Sequence, residues 1–121
     1  MAMNDKQTTI RELRDAVKSF VDDREWFQFH TPKDTSMAIS VEASELVEKF
    51  LWMKREQSFE EVKKNREEIE QELADVVVTL ITFARAAKID VAKAVKKKME
   101  HNAKKFPLEK TKGRGAKWER T

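Results

Sequence analysis

The 121-residue sequence predicts an all-α protein, because its apolar residues recur at helical spacing and its turn-forming residues are few. Both glycines, Gly113 and Gly115, lie near the C-terminus, and Pro32 and Pro107 are the only prolines. Nothing before residue 113 supplies the glycine-rich turns that β-hairpins need. The length fits one domain with a modest core. We expect this domain to span residues 1–109, followed by a polar, basic tail over 110–121.

The first two predicted helices flank Pro32. Helix one is expected over about 9–22, with a stripe of apolar residues at helical spacing: Ile10, Leu13, Val17, Phe20 and Val21. Because Pro32 disfavours helical conformation at Thr31, the second helix is expected over about 34–54, with Asp34 as its N-cap. Its core stripe consists of Ile39, Leu46, Phe50 and Met53.

Two further helices are expected in the C-terminal half. The segment 58–61, Ser-Phe-Glu-Glu, matches a capping box and predicts a helix start at Ser58. This helix either continues unbroken to Ala87 or bends near Asn65. Its segment 76–81 is apolar on nearly all sides, which predicts burial among several helices. Asp90 is expected to cap the last helix, whose stripe is Val91, Val95 and Met99.

The composition excludes several classes of protein. Charged residues make up 39% and hydrophobic residues 40%, which is typical of neither disordered nor membrane proteins. The polar N-terminus lacks the apolar region of a signal peptide, so we expect a cytoplasmic location and no membrane partner. The absence of cysteine excludes disulfides and thiolate metal ligands. The net charge of +3 reflects a basic excess over residues 93–117, which fits a solvated face, a nucleic-acid contact or a triphosphate contact.

Two pairs of acidic residues interrupt otherwise apolar helical segments. Glu42 and Glu45 form the first pair, and Glu72 and Asp75 form the second. Residues three apart on a helix point in similar directions. The simple interpretation is that each pair forms surface bridges, for example Glu45 with Lys49. Two such pairs on separate apolar helices instead favour a shared cation, because four buried, unpaired carboxylates would repel one another.

The expected ligands are all hard oxygen atoms, which favours Mg²⁺, with Mn²⁺ as the alternative. Neither histidine stands in a Glu-x-x-His pattern, and there is no cysteine. Zinc and a ferritin-like di-iron centre are therefore disfavoured. Because Mg²⁺ commonly binds substrate phosphates, the pattern predicts phosphate chemistry.

Five segments in a fixed order carry a family resemblance: residues 24–32, 42–48, 50–52, 72–76 and 98–107. Together they resemble the MazG-like all-α nucleoside triphosphate pyrophosphohydrolases, and within them the dCTP pyrophosphatase branch. The resemblance extends from about Arg24 to Trp118. It implies a four-helix-bundle-type fold assembled as a homodimer or homotetramer. It also implies Mg²⁺-dependent hydrolysis of a (deoxy)nucleoside triphosphate, dCTP or a related dNTP, to the monophosphate and pyrophosphate.

The resemblance also implies roles for individual residues. The expected metal ligands are Glu42, Glu45, Glu72 and Asp75, with Glu45 and Glu72 as the catalytic pair. The expected substrate-binding residues are Trp26, His30, Trp52, Lys98, Asn102 and Lys105. Members of the dCTP branch often carry tyrosine four residues after the aspartate, where this chain has Thr79. The base and sugar preference therefore stays open.

Simpler interpretations stand beside these roles. Trp52 fits a core or interface position, His30 fits a loop anchor, and Lys98 fits a solvated lysine run. For the whole chain, the rival functions are a nucleic-acid-binding protein without enzymatic activity and a helical scaffold. We expect the enzyme, with nucleoside triphosphate rather than nucleic acid as its partner.

Overall fold

The computed structural model describes residues 2–115, which form six α-helices, two 3₁₀ turns and no strand. The helices are α1 (Ile10–Asp23), α2 (Pro32–Glu48), α3 (Ser58–Lys64), α4 (Arg66–Ala87), α5 (Val91–Lys105) and α6 (Leu108–Thr111), and the 3₁₀ turns are Phe27–Phe29 and Arg55–Gln57. The all-α prediction is confirmed. No helix in the described part of the chain is long and apolar enough to cross a membrane.

The chain divides into two compact units, Met1–Ile89 and Asp90–Thr121. The first unit contains α1 to α4, and the second contains α5 and α6. The division into a domain over 1–109 and a tail over 110–121 stays a prediction. Trp118 lies outside the described residues.

The cap of α2 differs from the sequence prediction. Thr31, not Asp34, is the N-cap, and its Oγ1 accepts the backbone N–H of Asp34 at 3.1 Å. Pro32 takes the first helical position, where its missing N–H leaves no hydrogen bond unmade. The restriction that Pro32 imposes on Thr31 therefore selects the extended conformation that an N-cap needs. The helix also ends at Glu48, earlier than expected, because the chain then tightens into successive turns.

Asn65 divides the long third helix into α3 and α4, so the chain bends there rather than continuing unbroken. The helix start expected at Ser58 is confirmed, whereas the capping box expected there is wrong. The Ser58 hydroxyl donates instead to the Arg55 carbonyl at 2.7 Å, because the preceding 3₁₀ turn already directs the chain into α3. Asp90 caps α5 as expected and accepts the Lys93 N–H at 2.9 Å.

The most extensive helix contact in the first unit is between α2 and α4, and α1 packs on α4. The buried apolar side chains in the described part are Val21, Ile81 and Ala84. The expected burial of 76–81 is only partly seen in the single chain, since Leu80 is 47% exposed. The core of one chain is thus small, and much apolar surface stays uncovered.

Asp22 forms two ion pairs, one with Lys18 within α1 and one with Arg85, which joins α1 to α4. Its carboxylate lies 2.8 Å from Lys18 Nζ and 2.8 Å from Arg85 Nη1. The Arg85 guanidinium also lies 3.7 Å from the centroid of the Phe27 ring. The hydrogen bond from Lys18, followed by that from Arg85, lowers the pKa of Asp22 below its ordinary value of 3.8. This carboxylate therefore stabilises the fold only while it is ionised.

We expect Asp22→Asn to lower the Tm at pH 7. Because the pKa of Asp22 is depressed in the folded state, the ionised carboxylate stabilises the fold at pH values above its ordinary pKa. That contribution is lost as the pH falls through the folded-state pKa. The difference in Tm between wild type and variant should therefore shrink as the pH falls below 3.8. Thermal unfolding followed by circular dichroism at several pH values measures this. The matched control is Asp23→Asn, at the neighbouring exposed carboxylate. An equal difference at all pH values would contradict the ion-pair role.

Candidate active site

The site follows one line of contact between α2 and α4, which we call the seam. The two helices run antiparallel, so residues with higher numbers on α2 contact residues with lower numbers on α4. Thr35 and Thr82 line a cavity at one end of the seam, and Lys49 pairs with Glu68 at the other end. Between these ends lies a group that we call the acidic quartet: Glu42, Glu45, Glu72 and Asp75.

The structure brings the four predicted metal ligands together in the acidic quartet. One carboxylate oxygen from each residue lies within 4.8 Å of the others. Asp75 is exposed, whereas the three glutamates are half-buried. The three-residue spacing places each pair on one face of its helix, and the antiparallel seam places the pairs opposite each other. The arrangement concentrates four potential negative charges in one small volume.

This crowding raises the pKa of two members of the quartet. The pKa of Glu45 lies above its ordinary value of 4.5, first because of its hydrogen bond with Glu42 and then because of the charge on Glu42. Desolvation is the largest cause of the raised pKa of Glu72, followed by the charge on Glu45. The Lys49 ammonium acts in the opposite direction on Glu72. Without a cation, Glu45 and Glu72 therefore hold protons more tightly than separate carboxylates would.

Two oxygen atoms of the quartet, Glu42 Oε2 and Glu72 Oε2, are buried and have no hydrogen-bond partner among residues 2–115. A buried acceptor without a partner is unfavourable by about 1–3 kcal/mol or more in typical proteins. A cation between the helices would satisfy both oxygens. Because every donor is a carboxylate oxygen, the residues fit a hard divalent cation such as Mg²⁺ or Mn²⁺.

A cavity of about 230 Å³, which we call the seam cavity, opens beside the quartet. Its walls consist of Phe20, Val21, Trp26, His30, Asp34, Thr35, Ala38, Val78, Thr79 and Thr82. The three threonine hydroxyls donate to backbone carbonyls of their own helical segments at 2.7 to 2.8 Å. The wall is therefore mainly apolar, with His30 and Asp34 as its remaining polar side chains. His30 Nδ1 is buried and has no hydrogen-bond partner in the described part of the chain.

The residues expected to bind substrate lie in several places. Trp26 and His30 line the seam cavity. Trp52 does not line it and is 92% exposed in the turns that follow α2. The other three lie on α5 in the second unit, with the lysines exposed and the asparagine half-buried: Lys98, Asn102 and Lys105. The role of each in substrate binding stays a prediction.

Sequence reasoning missed part of the site. Lys49 Nζ lies 3.4 Å from Glu68 Oε2 across the seam, whereas the simple interpretation paired it with Glu45 along α2. Thr35 and Ala38 were not expected in the site either. Both precede Glu42 at helical spacing and therefore lie on the same face of α2 as Glu42. Following that spacing beyond the acidic residues would have identified them.

We expect Glu45→Gln to raise the Tm of metal-free protein at neutral pH. Because the pKa of Glu45 is raised in the folded state, its protonated form stabilises the fold at acid pH. This contribution is lost as the pH rises from the ordinary pKa of 4.5 through the folded-state pKa. Above this pH range, ionised Glu45 repels the other carboxylates of the quartet, and neutral glutamine removes that repulsion. Added Mg²⁺ should raise the Tm of wild type and have little effect on the variant. Thermal unfolding with EDTA and with Mg²⁺ measures both effects.

The matched control for this prediction is Glu48→Gln, at an exposed carboxylate one turn further along α2. This change should leave both the metal-free Tm and the Mg²⁺ response close to wild type. A Glu45→Gln variant whose Tm rises with Mg²⁺ as much as that of wild type would remove Glu45 from the ligand set.

Comparison with known proteins gives a consistent result. The MazG-like family matches residues 37–120. The protein dCTP pyrophosphatase 1 of Bos taurus is 29% identical over 114 residues, which cover 93% of this chain and 68% of that protein. The Homo sapiens dCTP pyrophosphatase 1 is 30% identical over 103 residues, covering 84% of this chain and 61% of that protein.

A crystal structure of a pyrophosphatase from Archaeoglobus fulgidus is similar in fold, with a TM-score of 0.79 and 36% sequence identity. The match covers 88% of this chain and 99% of that one. These similarities confirm the predicted family resemblance, the fold and the enzyme class. The chain belongs to the MazG-like family.

Proposed function

We propose that this protein hydrolyses a (deoxy)nucleoside triphosphate, dCTP or a related dNTP, to the monophosphate and pyrophosphate in a Mg²⁺-dependent reaction. The observation that carries the proposal is the acidic quartet, whose oxygens converge within 4.8 Å beside an apolar cavity. The names of the relatives support the substrate class. Mn²⁺ is the alternative metal ion.

The seam cavity is the proposed site for the nucleobase. Trp26 offers an aromatic ring at its wall, and Phe20 packs edge-on against Trp26 with ring centroids 5.8 Å apart. His30 and Asp34 supply polar atoms that can contact the edge of a base. A base in this cavity would place the phosphates toward the quartet, because the cavity and the quartet are consecutive parts of one seam.

The quartet is the proposed site of the reaction. The four carboxylates would hold Mg²⁺, which when bound would supply positive charge to neutralise the phosphate oxygens. Water attacks the α-phosphorus, the bond to the oxygen bridging the α- and β-phosphorus atoms breaks, and pyrophosphate leaves. We assign Glu45 as the acceptor of the proton from this water, because it is hydrogen-bonded to both Glu42 and Glu72. Glu72 lies on α4, across the quartet from Glu45.

The remaining predicted contacts complete the proposal. Lys98, Asn102 and Lys105 stand on one helix of the second unit and are proposed to contact substrate, with Lys98 directed to the departing pyrophosphate and Lys105 as a further phosphate contact. Trp52 is proposed to contribute to the base and sugar site. The cytoplasmic location also stays a prediction.

We expect wild-type protein with Mg²⁺ to release monophosphate and inorganic pyrophosphate from at least one dNTP, and EDTA to abolish this release. Glu72→Gln should lower kcat by about 100-fold or more while the fold is kept, because it removes a charge from the reacting centre. The matched control is Glu67→Gln, at an exposed carboxylate on the same helix. Chromatography of the nucleotides, with a separate assay for pyrophosphate, measures both products. Release of orthophosphate without pyrophosphate would contradict the proposed reaction.

We also propose that the protein works as a homodimer or homotetramer. The described part of one chain buries few apolar side chains, whereas α4 exposes a stripe at helical spacing that faces away from α2: Leu73, Val77 and Leu80. These side chains are 52%, 37% and 47% exposed. Such a continuous apolar stripe fits contact with a second copy, because monomers rarely leave large apolar patches in water.

We expect light scattering after size-exclusion chromatography to give a mass of at least twice that of one chain. The double change Val77→Asn and Leu80→Asn should shift the protein toward monomer and lower its Tm, since it removes apolar surface from the contact. The control is Gln71→Asn, at an exposed polar position on another side of α4. A wild-type protein that stays monomeric at high concentration would contradict this proposal.

A further inference from the structure

The order of groups along the seam gives each part of a triphosphate a different neighbour. The seam cavity ends at Ala38 on α2, the quartet begins at Glu42, and Lys49 lies one turn beyond Glu45. At 1.5 Å per helical residue, Lys49 lies roughly 6 Å further from the cavity than Glu45 does. If the base occupies the cavity and the α-phosphate reaches the quartet, the β- and γ-phosphates continue toward Lys49.

Lys49 is well placed to receive them. Its side chain is only 29% exposed, which is unusual for lysine, and its Nζ lies 3.4 Å from Glu68 Oε2. The Glu68 side chain is 65% exposed, so this ion pair is weak and can exchange for another anion. The Lys49 ammonium also acts to lower the pKa of Glu72, in agreement with its place beside the quartet. The ammonium therefore stands at the edge of the quartet, opposite the cavity.

We infer that the Lys49 ammonium binds the β- and γ-phosphates of the substrate, the part that leaves as pyrophosphate. This inference rests on the proposed function. Lysine is a compact point charge with three donors, which suits a phosphate chain that moves away as it leaves. In the absence of substrate, Glu68 holds the ammonium at the end of the seam. On binding, the phosphates replace Glu68 as its partner.

The test compares two ligands that differ only in the phosphates that Lys49 contacts. Wild type and Lys49→Met are titrated calorimetrically, in Mg²⁺, with a nonhydrolysable α,β-imido analogue of the preferred dNTP and with the corresponding dNMP. Methionine keeps most of the apolar stem and removes the charge. The affinity for the analogue should fall about tenfold or more, while the affinity for dNMP stays at the wild-type value. Inhibition by pyrophosphate should weaken in parallel.

Three further variants sharpen the result. Lys49→Arg keeps the charge and should keep most of the affinity for the analogue. Glu68→Gln releases the ammonium and should leave that affinity unchanged or raise it. Lys63→Met is the matched control, because Lys63 pairs with Glu60 at 3.5 Å on the exposed surface of α3. It should bind both ligands as wild type does.

Two results would overturn the inference. Unchanged affinity of Lys49→Met for the analogue would show that Lys49 makes no phosphate contact. An equal loss for analogue and dNMP would show that Lys49 supports the site as a whole. The binding comparison needs no turnover, so failure of the proposed reaction is seen separately, as the absence of pyrophosphate from wild-type assays.

Discussion

Electrostatic repulsion within the acidic quartet is the constraint on which the rest of this structure depends. Four carboxylates that converge between packed helices destabilise the metal-free fold, because they repel one another. Protonation of a carboxylate or binding of a cation reduces this repulsion. Nearby groups limit this cost. Lys49 partly offsets the negative charge, and Asp75 stays exposed to water. The fold therefore contains a preorganised cation site that lowers the stability of the metal-free protein. Functional sites in enzymes commonly lower stability in this way.

Much of the fold followed from local patterns in the sequence. Helical spacing and scarce glycine predicted the helices, and Asp90 was correctly assigned as a cap. The errors at Thr31 and Ser58 arose because several polar residues near a helix start can serve as its cap, and the backbone geometry decides which of them does, or whether any does. The bend at Asn65 was left open for the same reason.

The acidic quartet could be predicted because its members are costly to bury and recur at helical spacing. The seam cavity could not, since alanine and threonine are ordinary residues of any helix and acquire a role only from what faces them. The partner of Lys49 was also beyond local reasoning. Glu68 lies nineteen positions away in sequence and meets Lys49 only because α2 and α4 pair in this register. Contacts of this kind depend on tertiary packing, which one sequence does not encode locally.

The antiparallel seam has a consequence for how the protein can diverge. The quartet comes from α2 and α4, the cavity adds residues of α1 and of the turn that follows it, and the chain between Trp52 and Asn65 contributes to neither. That connection can lengthen or shorten without moving the site, because loop closure depends only weakly on length. An insertion of a single residue between Glu42 and Glu45 would instead rotate all later side chains of α2 by about 100° and separate Glu45 from Glu42. Natural variation in length should therefore accumulate in the connection and be absent from the two helices.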